Sequence, residues 1–342
     1  MPIATTADYG AMLDAAAAGG WALPAINVTS SQTLIGVLQG LAAADSDGIV
    51  QVTTGGAAYL GGDGPASAAL GAAGLAELAH EVAAGFPSLV ALHTDHCKPE
   101  QADGFLGPLL ARTAARRRRG QVPLFHSHMF DGSTLAPEDN LRRSALWLER
   151  CAAVDVILEL ECGVIGGEED QVRGDAAGSV RLYTDPADLL KVVAALGTGE
   201  RGRYLLAVAF GNVHGVDAPH DVRLRPEILR DGQQVLARAR PGARFQYVFH
   251  GSSGTPASGL RAAIEHGVVK VNVDTEMQHA FTSGVAAHVL ENAGAITALT
   301  GPEAKRAFDP RAWGRRAQLT LSERVAAECE TLGSAGRGLR RS

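Results

Sequence analysis

Residues 88–97 read SLVALHTDHC. An apolar run suited to a buried strand ends abruptly at Asp95 and His96, with His93 inside it. Alone, this is a strand running into a polar loop that carries two imidazoles and a carboxylate within four residues. Its weight comes from repetition. Similar short runs recur at 22–28 (ALPAINV), 48–54 (GIVQVTT), 122–128 (VPLFHSH), 154–161 (VDVILELE), 204–210 (YLLAVAF), 245–250 (FQYVFH) and 268–274 (VVKVNVD). Between them lie stretches rich in Ala, Leu, Arg and Glu with apolar residues three and four apart. These read as helices, among them 31–44, 138–152, 185–197, 226–239 and 275–291.

Eight strands alternating with helices predict a closed parallel (β/α)8 TIM barrel. It takes in 1–342 as a single domain, with a helical extension at about 305–335. The competing architecture, a doubly wound open sheet, lacks the G-x-G-x-x-G that should follow its first strand. The Gly-rich or polar segments 55–74, 164–179 and 293–304 read as mobile loops.

The 46% hydrophobic content of 342 residues suffices for a large core, and no run approaches a membrane span. A net charge of −6 gives nucleic acid no electrostatic footing. The one basic cluster, 116–119, falls at a predicted helix end, where cations complement the helix dipole. Cys97, Cys151, Cys162 and Cys329 form no C-x-x-C pair, and the N-terminus does not read as a signal peptide, so a cytoplasmic location is expected.

The informative pattern is what stands at the strand ends. They carry Asn27, then Thr53 and Thr54, then Asp95 and His96, then Ser127 and His128 with Asp131 beyond. Next come Glu161, His214 in GNVHG, His250 in HGSSG, and last Asn272 with Asp274. In a parallel barrel these ends meet on one face, where active sites form. His96, His214 and His250 each follow a different strand. Three such imidazoles with an open position suit a catalytic zinc. Gly251, Ser253 and Thr275 lie after the last two strands, the usual phosphate cradle of this fold. Asp95 beside a ligand, and Glu168 or Glu169 in GGEED, offer carboxylates for proton transfer.

These motifs, namely PAIN, TGG, HTDHC, SHMFDGS, LELECGVIGGEED, GNVHG, FHGSSG, KVNVDT and FDPR, together resemble the zinc-dependent class II fructose-bisphosphate aldolases, in order from about residue 1 to 340. The resemblance implies zinc on His96, His214 and His250, with Asp131 and Glu161 near a second metal position and room for a monovalent cation. It implies that Asp95 moves the proton at the C4 oxygen and Glu169 the proton at the enediolate carbon. Asn27 and Asn272 would contact substrate. Gly215, Gly251, Ser253, Asp274 and Thr275 would bind dihydroxyacetone phosphate. Thr53, with Lys305 close by and Arg311 from a neighbouring subunit of a homodimer or homotetramer, would bind the aldehyde half. Partners would be small phosphorylated sugars.

Two positions depart from the family pattern: Thr53 stands where Ser is common, and Ser252 where a glycine is usual. Ser is costly there if the backbone needs positive φ. The departures leave open a relative that uses another aldehyde. Two other readings of the residues stand beside this one. One is a Schiff-base aldolase on Lys270, which shares strand parity with Asn272, although it leaves three strand-end histidines unexplained. The other is a zinc scaffold without catalysis, which has no need of Asp95 and Glu169 together.

Overall fold

The computed structural model describes residues 2–62, 64, 66–163, 182–212, 222–298 and 300–339, plus the backbone of the short strands at 166–169, 172–173 and 213–214. The strands are β1 (Leu23–Asn27), β2 (Gly48–Thr53), β3 (Val90–Asp95), β4 (Ser127–Phe130), β5 (Ile157–Cys162), β6 (Gly166–Glu169), β7 (Val172–Arg173), β8 (Tyr204–Val208), β9 (Val213–His214), β10 (Tyr247–Phe249) and β11 (Val268–Val273). The helices are α1 (Thr6–Gly19), α2 (Ser31–Ala43), α3 (Thr54–Leu60), α4 (Ser67–Val82), α5 (Ala102–Arg118), α6 (Pro137–Ala152) and α7 (Asp188–Leu196). They continue with α8 (Glu227–Ala239), α9 (Ala257–Glu265), α10 (Thr275–Glu291), α11 (Ala293–Ala298), α12 (Gly301–Phe308) and α13 (Pro310–Thr331).

Eight strands close in the order β1-β11-β10-β8-β5-β4-β3-β2, the parallel barrel expected from the sequence. The closing ladder pairs Leu23 with Lys270 and Ile26 with Val273. The remaining strands form a separate small sheet, β7-β6-β9, in which Gly167 pairs with His214.

Alternation of side chains across each strand creates two cores. The outer one lies between sheet and helices and holds Ile26, Val50, Leu92, Leu158, Leu206 and Phe249. The inner one fills the barrel with Leu23, Ala25, Ile49, Ala91, Ile157, Leu205 and Val248. Helix α1, started by a Thr5–Asp8 capping box, adds Tyr9, Met12, Leu13 and Ala16 to that inner core. It closes the end of the barrel where the strands begin.

The structure corrects several sequence readings. The segment 55–74 is mostly helical, as α3 and α4, and 293–304 contains α11 and the first half of α12. The Thr53 hydroxyl starts α3 by accepting from Gly56 N–H at 2.9 Å. Gly71 then lets α4 approach α3, since a Cβ there would lie 2.0 Å from the Ala57 carbonyl oxygen. The fourth strand is Ser127–Phe130, not 122–128. Pro123 cannot donate to a ladder, and His126 takes the Leu92 N–H on its ring Nδ1 (2.9 Å). The long C-terminal helix begins at Pro310 behind Asp309, whose side chain accepts from Arg311 N–H. It crosses α2 at Gly40, where a Cβ would lie 2.6 Å from Val325. The loop expected at 164–179 falls largely outside the described residues. Among the described residues no helix is long and apolar enough to cross a membrane.

Two histidines of this frame contribute to its acid sensitivity. Burial lowers His126 to about 4 and His128 to about 3, so both are neutral near pH 7. In the unfolded chain they titrate near 6.5. Below that value the unfolded state binds protons the folded state refuses, so stability falls as pH drops from about 6.5 to about 4. Calorimetry should show Tm declining across that window, with a shallower slope for His128→Leu.

Candidate active site

Asp95 and His96 are adjacent in sequence, and a regular strand would send them to opposite faces. His96 breaks the alternation with φ = 28°, in the left-handed region that residues other than glycine rarely adopt. Both groups therefore enter the barrel mouth. The strained turn is held from two sides. Thr54 Oγ1 donates to the His96 carbonyl (3.3 Å), and Asp131 N–H donates to the Cys97 carbonyl (2.9 Å).

His96 Nε2 lies 2.8 Å from His250 Nδ1. The opposite nitrogen of each ring faces a carboxylate: His96 Nδ1 is 3.2 Å from Asp131 Oδ2, and His250 Nε2 is 2.8 Å from Glu159 Oε1. Carboxylates behind imidazoles in this way fix which nitrogen is left for a metal. Burial draws His250 down to about 4, so its ring is neutral and its lone pair is available. Burial opposes the charge on Asp131, but His96 and the Ser133 hydrogen bonds outweigh it and hold the carboxyl far below its usual range. Asp95, His96 and His250 form one set of donors within 4.8 Å of one another, and His96, Asp131 and Glu161 form a second. Imidazole nitrogens and carboxylate oxygens gathered in this way fit a divalent ion with zinc-like preferences.

Asp95 is surrounded by amides. Asn272 Nδ2 donates to its Oδ1 (3.0 Å), while Gln51 Nε2 (2.9 Å) and Asn27 Nδ2 (3.3 Å) donate to its Oδ2. Four of the predicted residues, Asn27, Asp95, His250 and Asn272, are thus joined in one network that also reaches His96. Glu161 and Asp131 border it.

Ser252, the suspected misfit, is not strained. Positive φ in this loop belongs to Gly251 (66°) and Gly254 (77°). The Ser252 hydroxyl donates to the Asn272 carbonyl at 2.7 Å, tying the loop after β10 to the end of β11. Ser253 is half-buried in that loop, and Asp274 and Thr275 start α10, with Asp274 accepting from Gln278 Nε2 (2.8 Å). Thr53 is buried at the end of β2. Lys305 lies on α12 with its side chain exposed, and Arg311 is 87% exposed and paired with Asp309 (2.6 Å). Gly215 and the side chains of His214 and Glu169 lie outside the described residues. The backbones of β6 and β9, which carry Glu169 and His214, pair side by side.

Gln51, His93 and Glu159 escaped the reading of strand ends, and Lys270 entered it only as a Schiff-base candidate that shares parity with Asn272. Each sits two residues before a residue that reading did select: Thr53, Asp95, Glu161 and Asn272. Period-two parity puts them on the same inward face, one tier deeper, and all four are buried. That spacing was the available signal.

A sequence profile described as "Fructose-bisphosphate aldolase class-II" matches residues 7–337. A fructose-bisphosphate aldolase of Corynebacterium glutamicum is 46% identical, covering 98% of this chain and 99% of its own length. One from Streptomyces galbus is 48% identical over 98% and 99%. The crystal structure of fructose-bisphosphate aldolase from Campylobacter jejuni superposes with a TM-score of 0.85 at 32% identity, covering 98% of this chain and 97% of that one. The chain belongs to the class II fructose-bisphosphate aldolase family. It is therefore an aldolase, a metal-dependent lyase built on a TIM barrel.

Proposed function

We propose that the chain catalyses the zinc-dependent, reversible aldol cleavage of fructose 1,6-bisphosphate to dihydroxyacetone phosphate and glyceraldehyde 3-phosphate, the glycolytic and gluconeogenic reaction. The observation that carries this reading is the approach of His96 Nε2 to His250 Nδ1 beside an amide-held Asp95, in a barrel of this family. His96, His250 and His214 would hold the ion, with Asp131 and Glu161 at a second position. When bound, zinc supplies the Lewis acidity that stabilises negative charge on the ketose-derived fragment.

The chain's own groups move the protons. Asp95 takes the proton of the C4 hydroxyl. Its carboxylate is aimed by Asn27, Gln51 and Asn272, so it need not reorganise during the reaction. As that proton leaves, C4 becomes the aldehyde carbon and the C3–C4 electron pair passes to C3. Glu169 then gives a proton to C3 of the enediolate, completing dihydroxyacetone phosphate. Gly215, Gly251, Ser253, Asp274 and Thr275 hold that half and its phosphate. Thr53, Lys305 and Arg311 serve the aldehyde half, Arg311 from a neighbouring copy. Val289 and Leu290 on α10 and Leu319 on α13 are exposed apolar side chains suited to cover in a homodimer or homotetramer. The four cysteines are unpaired thiols, which suits a cytoplasmic enzyme.

Chelation should abolish cleavage and added zinc should restore it, while borohydride with substrate should trap no adduct. Activity that survives chelation together with a reduced adduct on Lys270 would sink the metal reading.

Asp95→Ala should lose cleavage by about 10²-fold or more, yet still exchange the α-proton of dihydroxyacetone phosphate with solvent deuterium. Glu169→Ala should lose both. NMR of deuterium incorporation beside a coupled cleavage assay separates the two, and the opposite pattern would reverse the assignment.

For the shared site, inactive Arg311→Ala subunits mixed with inactive Asp95→Ala subunits should regain activity as hybrids form. Proven subunit exchange without recovery would remove Arg311 from the neighbour's site.

A further inference from the structure

Beneath the site lies a buried charged group that the mechanism leaves unused. Lys270 and Glu159 have no solvent exposure, and Lys270 Nζ lies 2.8 Å from Glu159 Oε2. Lys270 Nζ also donates to Asn272 Oδ1 at 2.6 Å. His93 Nε2 stands 3.6 Å from the same Glu159 oxygen. A buried ion pair is weak evidence for stability, because an apolar pair of similar volume commonly serves as well. The position of this one points to another role.

Lysine can only donate hydrogen bonds, and an ionised carboxylate can only accept them. These two facts fix the polarity of both chains that leave Lys270. Along the first, the atom of Asn272 that meets Nζ must be its carbonyl oxygen. The amide cannot flip, and its Nδ2 must face Asp95 Oδ1, 3.0 Å away. Along the second, Glu159 is kept as an acceptor, so His250 must carry its proton on Nε2, 2.8 Å from Glu159 Oε1. The lone pair is thereby left on Nδ1, the nitrogen that faces His96. We propose that Lys270 is a positioning residue for both halves of the site: through Glu159 it presents His250 Nδ1 to the metal, and through Asn272 it holds an amide donor on Asp95. The inference rests on the metal-aldolase reading given above. It also says why Lys270 is no Schiff-base nucleophile, since its amine is paired with the Glu159 carboxylate and donates to Asn272 inside the barrel.

The test separates the two arms. Zinc affinity is measured on metal-stripped protein by competition with a chromophoric chelator, and folding is followed by circular dichroism. Glu159→Gln should weaken zinc by about 10- to 100-fold. If that variant does not fold, Glu159→Gln/Lys270→Met, which removes both charges together, carries the same measurement. Zinc affinity within twofold of wild type in the folded variant would overturn the first arm.

For the second arm, kcat is compared at saturating zinc in the Glu159→Gln background or, where that does not fold, in the Glu159→Ala background. Adding Lys270→Met should lower kcat by about tenfold with KM little changed, and should lower it no further once Asn272→Ala is present. Equal losses with and without Asn272 would show that Lys270 does not act through that amide. Wild-type protein that binds no zinc would instead defeat the underlying metal reading, a distinct outcome.

Discussion

The ladder between β1 and β11 turns an open sheet into a barrel, and the site depends on it. It pairs Ala25 with Asn272 and Ile26 with Val273, joining the first strand to the last across most of the chain. Only then do Asn27 and Asn272 come to opposite oxygens of one carboxylate, Asp95. Closure also removes the sheet edges, so every barrel strand has backbone partners on both sides. A mouth so braced can keep a network of amides and imidazoles aimed with little freedom to relax. That preorganisation suits a reaction whose barrier lies in developing negative charge.

One local departure lets the closed barrel carry its chemistry. The left-handed backbone at His96 allows consecutive residues, a carboxylate and an imidazole, to face the same space. Such strain persists where its surroundings over-determine it. Here the neighbouring strand ends do so, through the hydroxyl of Thr54 and the backbone of Asp131. Ser252 acts in the same sense on the far side of the mouth, where its hydroxyl holds the carbonyl of Asn272.

The barrel interior changes character along its axis. Near α1 it is apolar, with Leu23, Ile49, Ile157 and Leu205. Above this lies a tier of Gln51, His93, Glu159 and Lys270, and above that the residues of the mouth. The middle tier is costly to bury, and charge compensation makes it tolerable. Burial opposes the Glu159 carboxylate, yet the nearby Lys270, His93 and His250 hold it ionised. Electrostatics of this kind are strong because the tier is buried, and its contacts run upward to His250 and Asn272.

The sequence by itself determined the alternation of eight apolar runs with helices, and hence the barrel. The polar endings of those runs also marked Asn27, Asp95, His96, Glu161, His250 and Asn272 without any coordinates. Both are local signals, carried by periodicity and by abrupt changes of polarity along a few residues. Other features were not local. Helices α3 and α4 hid in a Gly-rich segment because glycine reads as a breaker until a neighbouring helix needs the close approach that Gly71 permits. The orientation of the imidazoles depends on carboxylates that lie far away in the chain. Gln51 and Glu159 looked like polar interruptions of buried strands, and Lys270 was legible only by its parity with Asn272, which puts it on the face of the site without saying what it meets there. Only the tertiary structure decided that, because a buried charge becomes acceptable when its partner arrives through space, and Lys270 meets Glu159 only once the barrel has closed.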